Sequence, residues 1–138
     1  MPSQAPSRAD TFLHGKTSVL LGSASALLLN ALKYLAGIDD AIELIQPSFI
    51  EPIMRLNTEI LGARSSSLLH LNEVLIALSI AAVTDENAKR ALAQIPRLAG
   101  LEAHCSVILS QVDESVFKKL GVNLTCEPVY ERQKFYHK

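Results

Sequence analysis

The pattern that most constrains the fold lies in the last third of the chain. The run "AHCSVIL" (Ala103–Leu109) is typical of a strand, and "VNLTCEP" is typical of a second one. Between them "ESVFKKL" predicts a short helix, which we expect Asp113 to cap and Gly121 to end. A strand, a helix and a second strand in this order predict parallel pairing. We therefore expect the α/β class: a helix-rich layered domain with a small, at least partly parallel sheet in the carboxy-terminal half.

Helices dominate the rest of the predicted fold. The third of them is apolar on nearly every side after Glu73, which predicts burial all round rather than one wet face. A weakly alternating segment, Ala41–Ile45, is compatible with a short strand. The predicted helices run from about Ser23 to Leu35 before Gly37, from Pro47 to near Gly62, from about Leu68 to Val83, and from Asp85 to Pro96.

Length and composition indicate one globular domain. With 138 residues, of which 49% are hydrophobic and 5% aromatic, the chain can bury a core of Leu, Ile, Val and Ala. Residues 1–13 are rich in Pro, Ser and other polar residues, which predicts a disordered leader. We expect residues 14–138 to form a single α/β domain.

Charge and hydropathy narrow the classes of partner. The formal net charge is -1 and there is no long run of either sign, so we expect no nucleic-acid partner. The uncharged run Val19–Leu32 is shorter than the roughly 20 residues of a membrane span. Its apolar residues also continue past the small residues that a signal peptidase would need, so we predict a cytoplasmic protein with no membrane partner. Cys105 and Cys126 are expected to be buried thiols, and whether they meet stays open.

The tetrapeptide Gly15-Lys16-Thr17-Ser18 ends like a phosphate-binding loop. That loop also needs a glycine five residues before Gly15, and Asp10 stands there instead. A turn followed by a helix cap is therefore the favoured interpretation. The alternative is a simpler anion site, for which Lys16, Thr17 and Ser18 are the candidates because they precede a helix amino terminus.

Histidines and carboxylates supply the catalytic candidates, which are His70, Glu73, Glu102 and His104. His70 and Glu73 are three apart and share a helix face, while strand alternation places Glu102 and His104 on one face and Cys105 on the other. Such groups could form an acid/base pair or hold zinc or iron. Neither half is a recognised metal signature, so we assign no metal site and no cofactor. The favoured alternative is that His70 and Glu73 cap or salt-bridge the start of a buried helix and that His104 is a hydrogen-bonded core histidine.

Four sequence blocks carry a resemblance to a known family. "GKTSVLLGSASALLLNALKYLAGI", "LLHLNEVLIALSIAA", "LEAHCSVIL" and "KKLGVNLTCEPVY" occur in this order and at similar spacing in a largely bacterial family. The chain resembles the carboxy-terminal domain of the domain-of-unknown-function 1846 family, also called the uncharacterised 0371 proteins, from Gly15 to its end. The leader departs from the strand-turn-strand that the family has before Gly-Lys-Thr-Ser. The sequence therefore does not show whether the first strand of the sheet is present.

The resemblance has consequences for the site. Family members are several times longer and carry an amino-terminal region with its own "GPGSGK"-like loop, which resembles a nucleotide-binding segment. Gly-Lys-Thr-Ser is then not the nucleotide loop. The family has no established activity to carry over, and the resemblance implies these site-forming positions: Lys16, Thr17, Ser18, His70, Asn72, Glu73, Glu102 and His104.

Three functions are compatible with the sequence. The favoured one is a non-catalytic interaction or oligomerisation domain, or one that completes a ligand site in a larger, nucleotide-dependent protein. Its partner would be the missing amino-terminal domain or a second copy of the chain. The second is a small hydrolase or transferase domain that uses His70, Glu73 and His104, with or without a metal. The third is an anion- or nucleotide-binding module at Lys16–Ser18.

Overall fold

The computed structural model describes residues 22–62, 69–105 and 108–126, together with the backbone of residues 13–15. The predicted leader, apart from residue 13, and the candidates Lys16, Thr17 and Ser18 lie outside the described residues. In chain order the elements are β1 (Leu13–Gly15), α1 (Ser23–Ala36), α2 (Pro47–Arg55) with a π-helical continuation (Leu56–Ile60), α3 (Leu71–Ala81), α4 (Glu86–Leu92), a 3-10 turn (Ile95–Leu98), β2 (Glu102–Cys105), α5 (Gln111–Leu120) and β3 (Asn123–Cys126).

The strands form a parallel sheet in the order β1-β2-β3. The β2-α5-β3 unit confirms the predicted parallel pairing and the α/β class. Two of the three strands described lie in the carboxy-terminal half, and β1, which the sequence left open, joins them from the start of the chain. At the carboxyl ends of the strands, Gly15, Cys105 and Cys126 are neighbours in register.

Helices cover one face of this sheet. Leu27 and Leu28 of α1 and Phe117 of α5 line one small internal cavity together with Ala103 of β2, so both helices pack over the same face. Burial alternates along β2, where Ala103 and Cys105 are buried while the residues between them are half-buried. The opposite face carries polar side chains that are half-buried or exposed: Glu102, His104, Asn123 and Thr125.

Helix α1 occupies the centre of the core. It contacts β1, β2, α3, α4 and the 3-10 turn, and Leu28 and Leu32 are completely buried. Gly37 ends the helix in the left-handed conformation, with φ at 71°, and its N–H bonds the carbonyls of the last turn. A side chain there would be strained, so the predicted stop signal is confirmed.

Helix α3 corrects one prediction. Its buried side chains include Val74, Ala77 and Leu78, but Ile76 and Ile80 are each 57% exposed and Val83, just beyond the helix, is 80% exposed. Burial all round is therefore wrong. The physical reason is that hydropathy reports the composition of a helix, whereas burial depends on neighbours, and α1, α2, α4 and α5 do not cover this side of α3.

Two further details differ from the sequence expectations. Residues 41–45 form turns rather than a strand, because the Asp39 carboxylate and carbonyl accept hydrogen bonds from the N–H groups of Ala41 and Ile42. Ser110 rather than Asp113 caps α5, since its hydroxyl accepts a hydrogen bond from the Asp113 N–H at 3.2 Å. Asp113 instead lies in the first turn of the helix.

Substitution of Phe117 tests the packing of α5 on the sheet. This residue is 2% exposed, and Phe117→Ala should lower the free energy of unfolding by about 3–5 kcal/mol through lost burial and the cavity left behind. Val112→Ala on the same helix, where the side chain is 46% exposed, should change it by less than about 0.5 kcal/mol. Urea denaturation followed by circular dichroism measures both, and equal losses would contradict the packing described.

Candidate functional site

The predicted residues His70 and Glu73 lie at the amino terminus of α3, where Asp113 joins them. The Asp113 Oδ1 accepts a hydrogen bond from the Leu71 N–H at 2.9 Å and lies 3.5 Å from the His70 Nδ1. The Asp113 side chain is 13% exposed and that of His70 is 49% exposed. One carboxylate of α5 thus satisfies the first free N–H group of α3, and it can pair with His70 when that ring is protonated.

Both oxygens of Glu73 also have structural partners. Oε1 accepts a hydrogen bond from the His70 N–H at 2.9 Å, and Oε2 accepts one from the Asn57 Nδ2 at 2.9 Å. The first bond is the capping interaction that the sequence left open as an alternative. The second ties the start of α3 to the π-helical segment. These two bonds fix the position of the carboxylate at the start of α3.

Glu102 and His104 lie elsewhere, on the face of β2 opposite to α1 and α5, which we call the open face because Asn123 and Thr125 beside them are exposed. His104 Nδ1 is 3.0 Å from the Thr125 Oγ1, on the neighbouring strand. The Thr125 hydroxyl donates to the Ala103 carbonyl at 3.4 Å, and its oxygen can at the same time accept a hydrogen bond from the His104 ring.

The structure therefore distributes the candidates over two hydrogen-bond networks. One joins His70, Glu73, Asp113 and Asn57, and the other joins His104 to Thr125. Among the residues that the structure describes, no group of three or more His, Cys, Asp or Glu side chains is arranged to hold a metal ion. Asn72 is exposed on α3. A catalytic role for His70, Glu73, Glu102 and His104 stays a prediction.

Sequence reasoning missed three partners in these networks: Asn57, Asp113 and Thr125. Asn57 is 16 residues from Glu73, Asp113 is 42 residues from Leu71, and Thr125 is 21 residues from His104. No short-range spacing connects such pairs. Thr125 lies beside His104 because of the strand register, and this contact can be predicted only when the residue-by-residue pairing of β2 with β3 is known.

The two cysteines meet across neighbouring strands. Cys105 and Cys126 are register partners, and neither forms a disulfide in the described structure. Cys105 is fully buried, whereas Cys126 is partly exposed in an open groove of about 300 Å³ between α5 and β3. Burial raises the pKa of the Cys126 thiol, and the Glu114 carboxylate raises the pKa further, against a hydrogen bond with the Leu109 backbone that lowers it.

The junction at Asp113 can be tested by substitution. Asp113→Ala leaves the Leu71 N–H without its acceptor and should lower the free energy of unfolding by about 1–3 kcal/mol. Asp113→Asn keeps Oδ1 as an acceptor and should cost less. Glu114→Ala, an exposed neighbour on α5, is the control. Urea denaturation measures all three, and a loss for Asp113→Ala no larger than the control's would show that the carboxylate does not hold α3.

Alkylation tests the description of the thiols. A raised pKa means less thiolate at a given pH, so at pH 8 iodoacetamide should modify Cys126 more slowly than a free cysteine and Cys105 more slowly still. Mass spectrometry of digests gives both rates. In 8 M urea the two rates should become equal, and fast modification of Cys105 in the folded protein would contradict its burial.

The fold and these networks define a class of protein. The chain contains an α/β domain with a parallel sheet that α1 and α5 cover on one face, and His70, Glu73 and His104 are hydrogen-bonded to other parts of the fold. The sequence profile described as "Domain of unknown function DUF1846, C-terminal" matches residues 8–136. The chain belongs to this family of UPF0371 proteins, as the resemblance predicted.

Individual relatives agree with this assignment. A UPF0371 protein of Corynebacterium efficiens is 54% identical over 124 residues, which are 90% of this chain and 25% of the relative. One of Corynebacterium diphtheriae is 52% identical over 93% of this chain and 26% of its own length. One of Streptococcus pyogenes is 47% identical over 90% of this chain and 25% of its own length. The chain spans about a quarter of the length of these relatives.

The structure also bears on the membrane prediction. In residues 22–62, 69–105 and 108–126, no helix combines the length and the apolar character that crossing a membrane would require.

Proposed function

We propose that this chain is a non-catalytic interaction domain, and that its partner is the amino-terminal part of the UPF0371 architecture. The observation that carries the proposal is the exposed apolar side of α3. This side consists of three residues that are each more than half exposed, Ile76, Ile80 and Val83, and we call them the α3 stripe. The other large aliphatic side chains of α1 and α3 are buried or half-buried.

Spacing and chain order bring the residues of the α3 stripe together. Ile76 and Ile80 are four residues apart on α3, so their side chains lie on one side of the helix, and Val83 lies in the turn that directly follows it. Single exposed aliphatic residues are common on protein surfaces, whereas neighbouring ones that form a patch mark interaction sites. Fully burying each such side chain is favourable by roughly 1.5–3 kcal/mol. A partner that covers the stripe would therefore gain several kcal/mol.

The sheet supports the same proposal independently. Parallel sheets are ordinarily covered on both faces, because helical connections pack on each side. Here α1 and α5 cover one face, while Asn123 and Thr125 on the other are exposed. The polar character of this second face suits a contact that includes hydrogen bonds. A further layer of protein would complete the sandwich.

The length of the relatives indicates where that layer would come from. The profile matched here is the carboxy-terminal one, and about three quarters of each relative lies beyond the region of similarity. In our proposal this amino-terminal part covers the α3 stripe and the open face of the sheet. Its glycine-rich loop, which the family resemblance implies, would make the assembled protein nucleotide-dependent.

A binding experiment tests the proposal. The purified chain is mixed with the separately expressed amino-terminal three quarters of the Corynebacterium efficiens relative, and the dissociation constant is measured by calorimetry. Ile80→Asp places a charge in the stripe and should weaken binding at least tenfold, which is about 1.4 kcal/mol. Val112→Asp, at an isolated exposed valine on α5, is the matched control and should bind like the unchanged chain.

Light scattering on the chain alone shows whether a second copy of the chain, rather than the amino-terminal part, covers the α3 stripe. A monomer that binds the amino-terminal part through the stripe supports the proposal. A dimer that Ile80→Asp dissociates, without binding to the amino-terminal part, would assign the stripe to a second copy of the chain and contradict the partner proposed here. Equal binding by Ile80→Asp and Val112→Asp would contradict the role of α3. Circular dichroism shows whether each variant keeps its fold.

A further inference from the structure

We infer that the amino terminus of α1 is a binding site for a phosphoryl group, formed by the Ser25 hydroxyl and the N–H groups of the first helical turn. This site is distinct from the α3 stripe and does not depend on the proposed function. It uses described residues only, although it lies next in sequence to the candidates Lys16, Thr17 and Ser18.

Ser25 is the observation that points to a ligand. The residue is 1% exposed, and its Oγ is buried without a hydrogen-bond partner. Buried hydroxyls almost always have partners, since removing one from water without replacing its hydrogen bonds is unfavourable. The Ser25 hydroxyl is therefore available for a hydrogen bond to a group from outside the chain.

The direction of the Ser25 side chain places its hydroxyl at the end of the helix. Ser25 is the third residue of α1, which begins at Ser23 after the extended residue Gly22. Side chains on a helix tilt toward its amino terminus, so the hydroxyl lies on the side where the first N–H groups point. The N–H groups of Ala24 and Ser25 precede the first hydrogen bond of the helix, which runs from the Ala26 N–H to the Gly22 carbonyl.

The electrostatics of this end favour an anion. The partial positive charge of the helix dipole is concentrated on the first turn, and no acidic residue lies there. The residue at the N-cap position is Gly22, which has no side chain to cap the helix. By contrast, α5 starts with Asp113 and Glu114 in its first turn, which would repel an anion.

The position in the fold agrees with this assignment. Helix α1 follows β1 and packs against it, and the carboxyl end of β1 is aligned with those of β2 and β3. In parallel α/β sheets, ligands bind beyond the carboxyl ends of the strands, where the next helix begins. A tetrahedral anion with several acceptor oxygens can take one hydrogen bond from the hydroxyl and others from the backbone, and this describes inorganic phosphate or a phosphate ester.

A titration with inorganic phosphate tests the site directly. Backbone amide resonances of the ¹⁵N-labelled chain are recorded as phosphate is added at constant ionic strength, with sodium chloride as the balancing salt. We expect saturable shifts centred on Ala24 and Ser25 and a rise in melting temperature. Ser25→Ala, which removes an unsatisfied hydroxyl and should fold at least as well, should weaken phosphate binding at least tenfold. Ser79→Ala on α3 removes an exposed hydroxyl and is the matched control.

The outcomes separate the sources of the phosphoryl group. Adenosine monophosphate binding more tightly than phosphate would show that the site takes a nucleotide, and equal binding would show that it takes the free anion or a simple ester. Both results support the inference. The absence of saturable shifts at Ala24 and Ser25 up to 20 mM phosphate would overturn the inference. It would also be overturned if Ser25→Ala bound phosphate as tightly as the Ser79→Ala control.

Discussion

Burial of α1 is the constraint on which the rest of the structure depends. The helix lies against two strands, α3, α4 and the 3-10 turn, and its leucines supply the centre of the core. Because one helix contacts so many elements, their positions are coupled through it. Covering α1 requires the sheet on one side and α3 on another, and in this arrangement none of the described helices covers the outer side of α3. The exposed stripe is therefore a consequence of how the core is closed.

Polar contacts hold α3 in that orientation. Asp113 reaches from α5 to the Leu71 N–H, and Glu73 reaches to His70 and Asn57. Residues that first suggested acid/base chemistry thus serve to fix the start of a helix whose far side is apolar. His70 and Glu73 lie at the start of α3, and the α3 stripe lies at its other end.

Local signals made most of the fold predictable. Gly37 and Gly121 end helices in the left-handed conformation, Pro47 begins one, and Asp85 caps another through the Asn87 N–H. Each of these depends on a few neighbouring residues. The links Asn57–Glu73 and His104–Thr125 could not be predicted in this way, because they join distant parts of the chain. Exposure of Ile76 and Ile80 was missed for a related reason: an apolar sequence shows what a helix could bury and leaves open which neighbours cover it.

The most direct measurement is a crystal structure of a full-length UPF0371 relative, such as that of Corynebacterium efficiens. The quantity of interest is the exposed fraction at the positions equivalent to Ile76, Ile80 and Val83. The account predicts that these side chains are buried against the amino-terminal three quarters of the same polypeptide, with exposed fractions well below those of the isolated domain. If they stay exposed in the full-length protein and in its assembly, α3 is not a docking surface and the central claim is wrong.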